Sequence, residues 1–75
     1  MEEKDLLKEM AAKWPSSIVA RRKVGEFTGG VISEKSMANL DCLGQGPSNR
    51  IKIGKIVAYP VKDFIAWLVE RFQRV

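Results

Sequence analysis

"RIKIGKIVAYP", Arg50 to Pro60, is the stretch from which the rest of the chain is read. Apolar and polar residues alternate in it with the two-residue period of a strand, interrupted by Gly54-Lys55 and closed by Pro60. Glycine in the first of two loop positions suits a type II′ turn, whose twist matches that of the flanking strands. The resulting pairing sets Ile53 against Ile56, Lys52 against Val57, Ile51 against Ala58 and Arg50 against Tyr59. One face of this hairpin is then apolar (Ile51, Ile53, Ile56, Ala58). The other is basic with an aromatic (Arg50, Lys52, Val57, Tyr59). A slip of one residue would mix the two sets, so the pattern specifies the register. Nothing else in the chain reads clearly as a strand, and an isolated two-stranded hairpin is marginal in water. The apolar face is therefore expected to pack on helices, leaving the basic face and the Lys55 tip in solvent.

Upstream of the hairpin, helices dominate. Residues 1–14 read as an N-terminal helix, with Leu6, Leu7, Met10 and Trp14 near one stripe and acids early, where the helix dipole favours them. Pro15 stops it. Ser16 or Ser17 is placed to cap a second helix running to about Thr28, with Ala20, Val24 and Phe27 as its inner face. Gly29-Gly30 ends that helix, one of the two taking positive φ. Ser33 caps a third helix, reaching about Leu43. Two helices joined by a short glycine-bearing turn, over residues 17–43, outline a helix-turn-helix. "GQGPSN", Gly44 to Asn49, is a loop. After the hairpin, 50–59, a last helix spans 61–74 with Phe64, Ile65, Leu68 and Phe72 inward and Trp67 near them.

Composition bounds the function. Seventy-five residues make one domain with a small core. The chain has one cysteine, Cys42, and no histidine, which rules out an internal disulfide and removes the commonest general base and zinc ligand. No phosphate-cradling glycine loop follows a strand, no run approaches the ~20 apolar residues of a membrane span, and the acidic N-terminus is unlike a secretory signal. An enzyme, a metal or cofactor site and a small-molecule substrate are thus not expected, and a cytoplasmic protein is. The net charge is +4, and residues 50–62 alone hold Arg50, Lys52, Lys55 and Lys62 with no acid. Such a block favours an anionic partner, above all nucleic acid. The third helix carries Met37 and Leu40 on one side. On the other it carries Lys35, Asn39 and Cys42, flanked by Ala38 and Glu34. A small, polar face of that kind suits a DNA groove.

In Gly29 to Leu68, a further pattern holds in order and spacing. A capping Ser33 is followed by Met37 and Asn39, then Gly44-Gln45-Gly46-Pro47, the basic strand Arg50 to Ile53, Gly54-Lys55, Tyr59, Asp63 and Trp67-Leu68. This stretch resembles the small excisionase-like winged-helix proteins related to the MerR-type DNA-binding domain. The chain differs from many of them in having Leu40 where they carry tryptophan, and Asp41 and Cys42 where they carry arginine or lysine. The resemblance implies an α+β, mainly helical fold: a winged helix-turn-helix with one two-stranded wing and an added N-terminal helix. It implies an accessory protein of a bacterial phage or mobile element, either an excisionase assisting an integrase or recombinase or a small transcriptional regulator.

Under that reading the partner is double-stranded DNA, with self-association on DNA as a further expectation. The third helix supplies base contacts from Glu34, Lys35, Ser36, Ala38 and Asn39. Arg50, Lys52, Lys55 and Tyr59 of the wing meet the backbone, flanked by Arg21, Arg22 and Lys23. The competing class is a protein-interaction module for an acidic partner, with Leu6, Leu7, Met10 and Trp14 as a docking or dimer surface.

Overall fold

The computed structural model describes residues 3–71. In chain order they form helix α1 (Glu3–Lys13), strand β1 (Ile18–Ala20), a 3-10 turn (Arg21–Lys23), α2 (Val24–Phe27), α3 (Glu34–Cys42), strands β2 (Ile51–Ile53) and β3 (Ile56–Pro60), and α4 (Val61–Arg71). The fold is α+β, with four α-helices and one three-stranded antiparallel sheet in the order β1-β3-β2.

The hairpin adopts the register its alternation specifies. Ile51 pairs with Ala58, Lys52 with Val57 and Ile53 with Ile56. Gly54 has φ 63° and among the described residues no non-glycine residue has positive φ, the sign pattern of a II′ turn. The expected pairing of Arg50 with Tyr59 lies beyond the end of β2.

Two expectations are corrected. The segment 17–28 is not one helix. Ile18–Ala20 is a strand, and its partners on β3 are Pro60, Tyr59 and Ala58 in turn. The free edge of β3 supplies the reason: its backbone groups need partners, and three residues extended along it supply them. Helix begins only afterwards, as the 3-10 turn and the single-turn α2. The pairing also moves the inner-face role from Ala20 to Val19, which is fully buried.

The second correction concerns the faces of the hairpin. Directly opposed residues share a face, and Tyr59 opposite Val19 is fully buried in the core, with Val57 packed against it. Ile51, Ile53 and Ile56 point the other way and are 39%, 60% and 37% exposed. With β1 in place, the inner face gains Val19 beside the large Tyr59 ring. Tyr59 also finds a polar partner for its hydroxyl, the condition for burying a tyrosine.

One aromatic chain ties the helices to this inner face. Trp14 meets Phe27 edge-on at 5.3 Å, Phe27 meets Phe64 at 5.4 Å, and Phe64 lies against both Tyr59 (5.6 Å) and Trp67 (5.5 Å). Both tryptophans spend their N–H on backbone carbonyls: Trp14 Nε1 donates to Ile18 O and Trp67 Nε1 to Gln45 O. Leu7, Leu68, Val24 and Met37 complete the core. The apolar stripe of α1 is therefore core: Leu7 is buried and Met10 and Trp14 are packed against it, with Leu6 at the margin. The expected continuation of α4 through Phe72 to residue 74 lies outside the described residues.

Candidate nucleic-acid interface

Helix α3 is fixed at both ends by its own sequence. The Ser33 side chain accepts from Ser36 N at 3.1 Å, satisfying one of the free N–H groups of the first turn. At the other end Gly44 has φ 73°, its N–H donates to Asp41 O, and Gln45 N donates to Leu40 O. That pair of bonds is the Schellman arrangement, which glycine permits. The preceding turn closes similarly: Gly29 and Gly30 both have positive φ, where one was expected.

Between these stops, helical spacing sorts the side chains. Met37 is buried and Leu40 half-buried against the core, while Glu34, Lys35, Ser36, Asn39 and Cys42 are exposed and Ala38 is half-buried. The five predicted base-contact residues thus belong to one accessible stretch of helix, with Ala38 at its edge. The Ser36 hydroxyl also accepts from the Ser33 hydroxyl.

The predicted backbone contacts divide. Arg50, Lys52 and Lys55 are exposed. Lys52 sits opposite Val57 and so shares the inner side of the sheet, the side on which the Tyr59 hydroxyl meets Asp41 of α3. Tyr59 is corrected: it is fully buried and offers no surface to a ligand. Its hydroxyl donates to Asp41 Oδ2 at 2.5 Å and accepts from Arg21 Nε at 3.0 Å. Burial pushes this tyrosine up to about 12, an effect that Arg21 opposes and Asp41 reinforces. Arg21 is likewise turned inward, donating to Asp41 Oδ2 at 2.7 Å. The Tyr59 hydrogen bond raises its own pKa further. Of its neighbours, Arg22 is exposed and Lys23 bonds Glu26 at 3.1 Å.

Asp41 is the residue that sequence reasoning passed over. Its side chain is 4% exposed, yet it joins α3 to the 3-10 turn through Arg21, to β3 through Tyr59, and to the start of the hairpin through Arg50. The Arg50 guanidinium stands 3.3 Å from Asp41 Oδ1, close enough for an ion pair but out of line for a hydrogen bond, and Oδ1 accepts none among the described residues. Gly46 packs on that same oxygen so closely that a Cβ there would fall 2.0 Å from it. The available signal was spacing: Asp41 lies four residues after Met37, on the inward side of α3. A buried acid is expected to find a cation, and Arg21 and Arg50 were at hand.

The result is a surface in two parts held by one carboxylate: the polar face of α3 and, beside it, the basic start of the hairpin. Among the described residues no group of three or more His, Cys, Asp or Glu gathers to hold a metal ion, and no helix is long and apolar enough to cross a membrane. Comparison with family models, curated protein sequences and solved structures returns no match.

Proposed function

We propose that this chain is a winged helix-turn-helix protein that binds double-stranded DNA and catalyses no reaction itself. In this reading α3 is the recognition helix and lies in the major groove. Lys35 and Asn39 face base edges, Asn39 having the geometry for adenine and Lys35 the reach for guanine. The β2–β3 hairpin is the wing, which rests on phosphates through Lys52, Lys55 and the outer part of Arg50. Support comes from the element order, helix, strand, two helices, then hairpin, with β1 added to the edge of β3 that the hairpin leaves free. The observation that carries the reading is the Asp41–Arg50 contact, which joins the open face of α3 to the basic hairpin.

Within that class the biological role we favour is an excisionase that assists an integrase in excisive recombination, with transcriptional regulation as the alternative role of the same fold. This finer assignment follows the resemblance of Gly29 to Leu68 described above. Cytoplasmic action on a phage or mobile element goes with it.

Fluorescence anisotropy on labelled duplex DNA across a salt series tests the binding. Lys55→Ala is expected to weaken binding about equally on all sequences and to flatten the salt dependence by roughly one unit of slope. Asn39→Ala is expected to lose about 1–3 kcal/mol at a single base position. Unchanged affinity in both variants removes the mechanism. A plasmid excision assay with a cognate integrase then separates the roles: acceleration identifies an excisionase, and DNA binding without acceleration identifies a regulator.

A further inference from the structure

The outer face of the sheet is the most strongly patterned surface that DNA binding leaves unused. A water-facing side of an antiparallel sheet normally carries polar residues. Here every outward position of the hairpin is apolar: Ile51, Ile53, Ile56 and Ala58. The row continues onto β1, where Ala20 stands opposite Ala58 and Ile18 opposite Pro60. Ala58, at the centre, is 2% exposed, while Ile53 at the hairpin end is 60% exposed. Small Ala58 on the central strand and Ala20 on β1, beside exposed isoleucines, make a shallow apolar trough. Single exposed isoleucines need no explanation, but a contiguous set that uses every outward position does.

Charge narrows the occupant. The segments that build this face, 15–23 and 50–62, contain no acidic residue. Arg22, just beyond β1, is exposed at one end of it. A second copy fits poorly, because the acidic helix of this chain, α1, already spends Leu7, Met10 and Trp14 on its own core. We propose that the outer sheet face docks an acidic amphipathic segment of a protein partner, its apolar stripe on the isoleucines and its carboxylates toward Arg22. The face lies on the side of the sheet away from α3, so protein and DNA bind at the same time.

The probe is a fluorescein-labelled peptide with leucine at helical i, i+3, i+4 and i+7 positions and glutamate elsewhere, read by anisotropy. Its control has lysine in place of glutamate. The full chain is expected to bind the acidic peptide, to bind it equally when saturated with duplex DNA, and to ignore the lysine peptide. Ile53→Thr with Ile56→Thr, which keeps β-branched residues in the strands, is expected to lose tenfold or more in peptide affinity. It is expected to retain DNA affinity within about twofold and a cooperative thermal melt. Should the pair fail to fold, Ile51→Thr on the edge strand provides the same readout. The proposal is overturned by no binding of the acidic peptide, by equal binding of the lysine peptide, or by unchanged affinity in the isoleucine variants. It also fails if those variants lose DNA affinity, which would put duplex on this face. Dimerisation in sedimentation that the variants abolish would put a second copy there instead.

Discussion

Asp41 is a single carboxylate answering to three elements, and its chemistry sets what its neighbours tolerate. Removing the charge by Asp41→Asn leaves Arg21 and Tyr59 facing a weaker acceptor. Breaking a fully buried pair costs about 3–5 kcal/mol. Arg21 is 24% exposed at its side chain and Arg50 51%, so water recovers part of the loss and about 2 kcal/mol is expected in urea unfolding. Gly46→Ala attacks the same oxygen from the other side. Its Cβ would press on Oδ1, and overpacking of this kind costs about 1–3 kcal/mol. In an Asp41→Ala background the alanine should be nearly neutral, and that coupling distinguishes a steric clash from a backbone effect. Tyr59 supplies a pH signature. It is the only tyrosine, so the phenolate absorbance reports it alone. Below pH 10, its ordinary value, the hydroxyl is neutral in folded and unfolded chains alike, and its contribution to stability is fully present. Between 10 and about 12 the unfolded chain gives up the proton first, so stability falls as pH rises through that window. Tyr59→Phe should remove this part of the alkaline decline, and wild-type absorbance should titrate near 12.

At the scale of elements, the hairpin shows what a sequence reveals and what it withholds. Its turn and register were legible because they depend on neighbours: Gly54 at a positive-φ position and a period of two on both sides. Its inward face was not, because that depends on a third strand of three residues. Ile18-Val19-Ala20 is too short to display a period, and Ser16-Ser17 just ahead of it looks like a helix cap. In fact the Ser16 side chain accepts from Ile18 N and starts the strand. The open face of α3 was legible from helical spacing, and its cap was legible from Ser33. The tether beneath it was not, since Asp41, Arg21, Tyr59 and Arg50 meet only after four separate segments are folded. Ser33→Ala tests the cap: about 1 kcal/mol of stability should be lost. The accompanying fraying should appear as faster amide exchange at Glu34 to Met37, with α4 unaffected.

For the whole molecule, charge must be counted after folding rather than before it. Two cations of the basic segments are consumed internally, Arg21 by Asp41 and Tyr59 and Lys23 by Glu26, and Arg50 is shared with Asp41. Lys52 and Lys55 on the hairpin, Lys35 on α3 and the outer part of Arg50 remain exposed for phosphates or bases. About four neutralised phosphates predict that log K falls against log salt with a slope between about −3 and −4, close to a hundredfold loss from 50 to 200 mM. The longest dimension is 37 Å, which at ~3.4 Å per base pair covers on the order of ten pairs. So short a contact with so shallow a slope makes a single chain a weak binder whose useful occupancy comes from adjacent sites or a second protein. The internal cations provide the decisive comparison. Lys52→Ala should flatten the slope by roughly one unit and leave the unfolding midpoint in place. Arg21→Ala should leave the slope unchanged and lower the midpoint, because its charge already belongs to Asp41. If Arg21→Ala flattens the slope as Lys52→Ala does, then Arg21 exchanges its internal partners for phosphate on binding, and α3 is not held to the sheet in the complex as it is in the free chain.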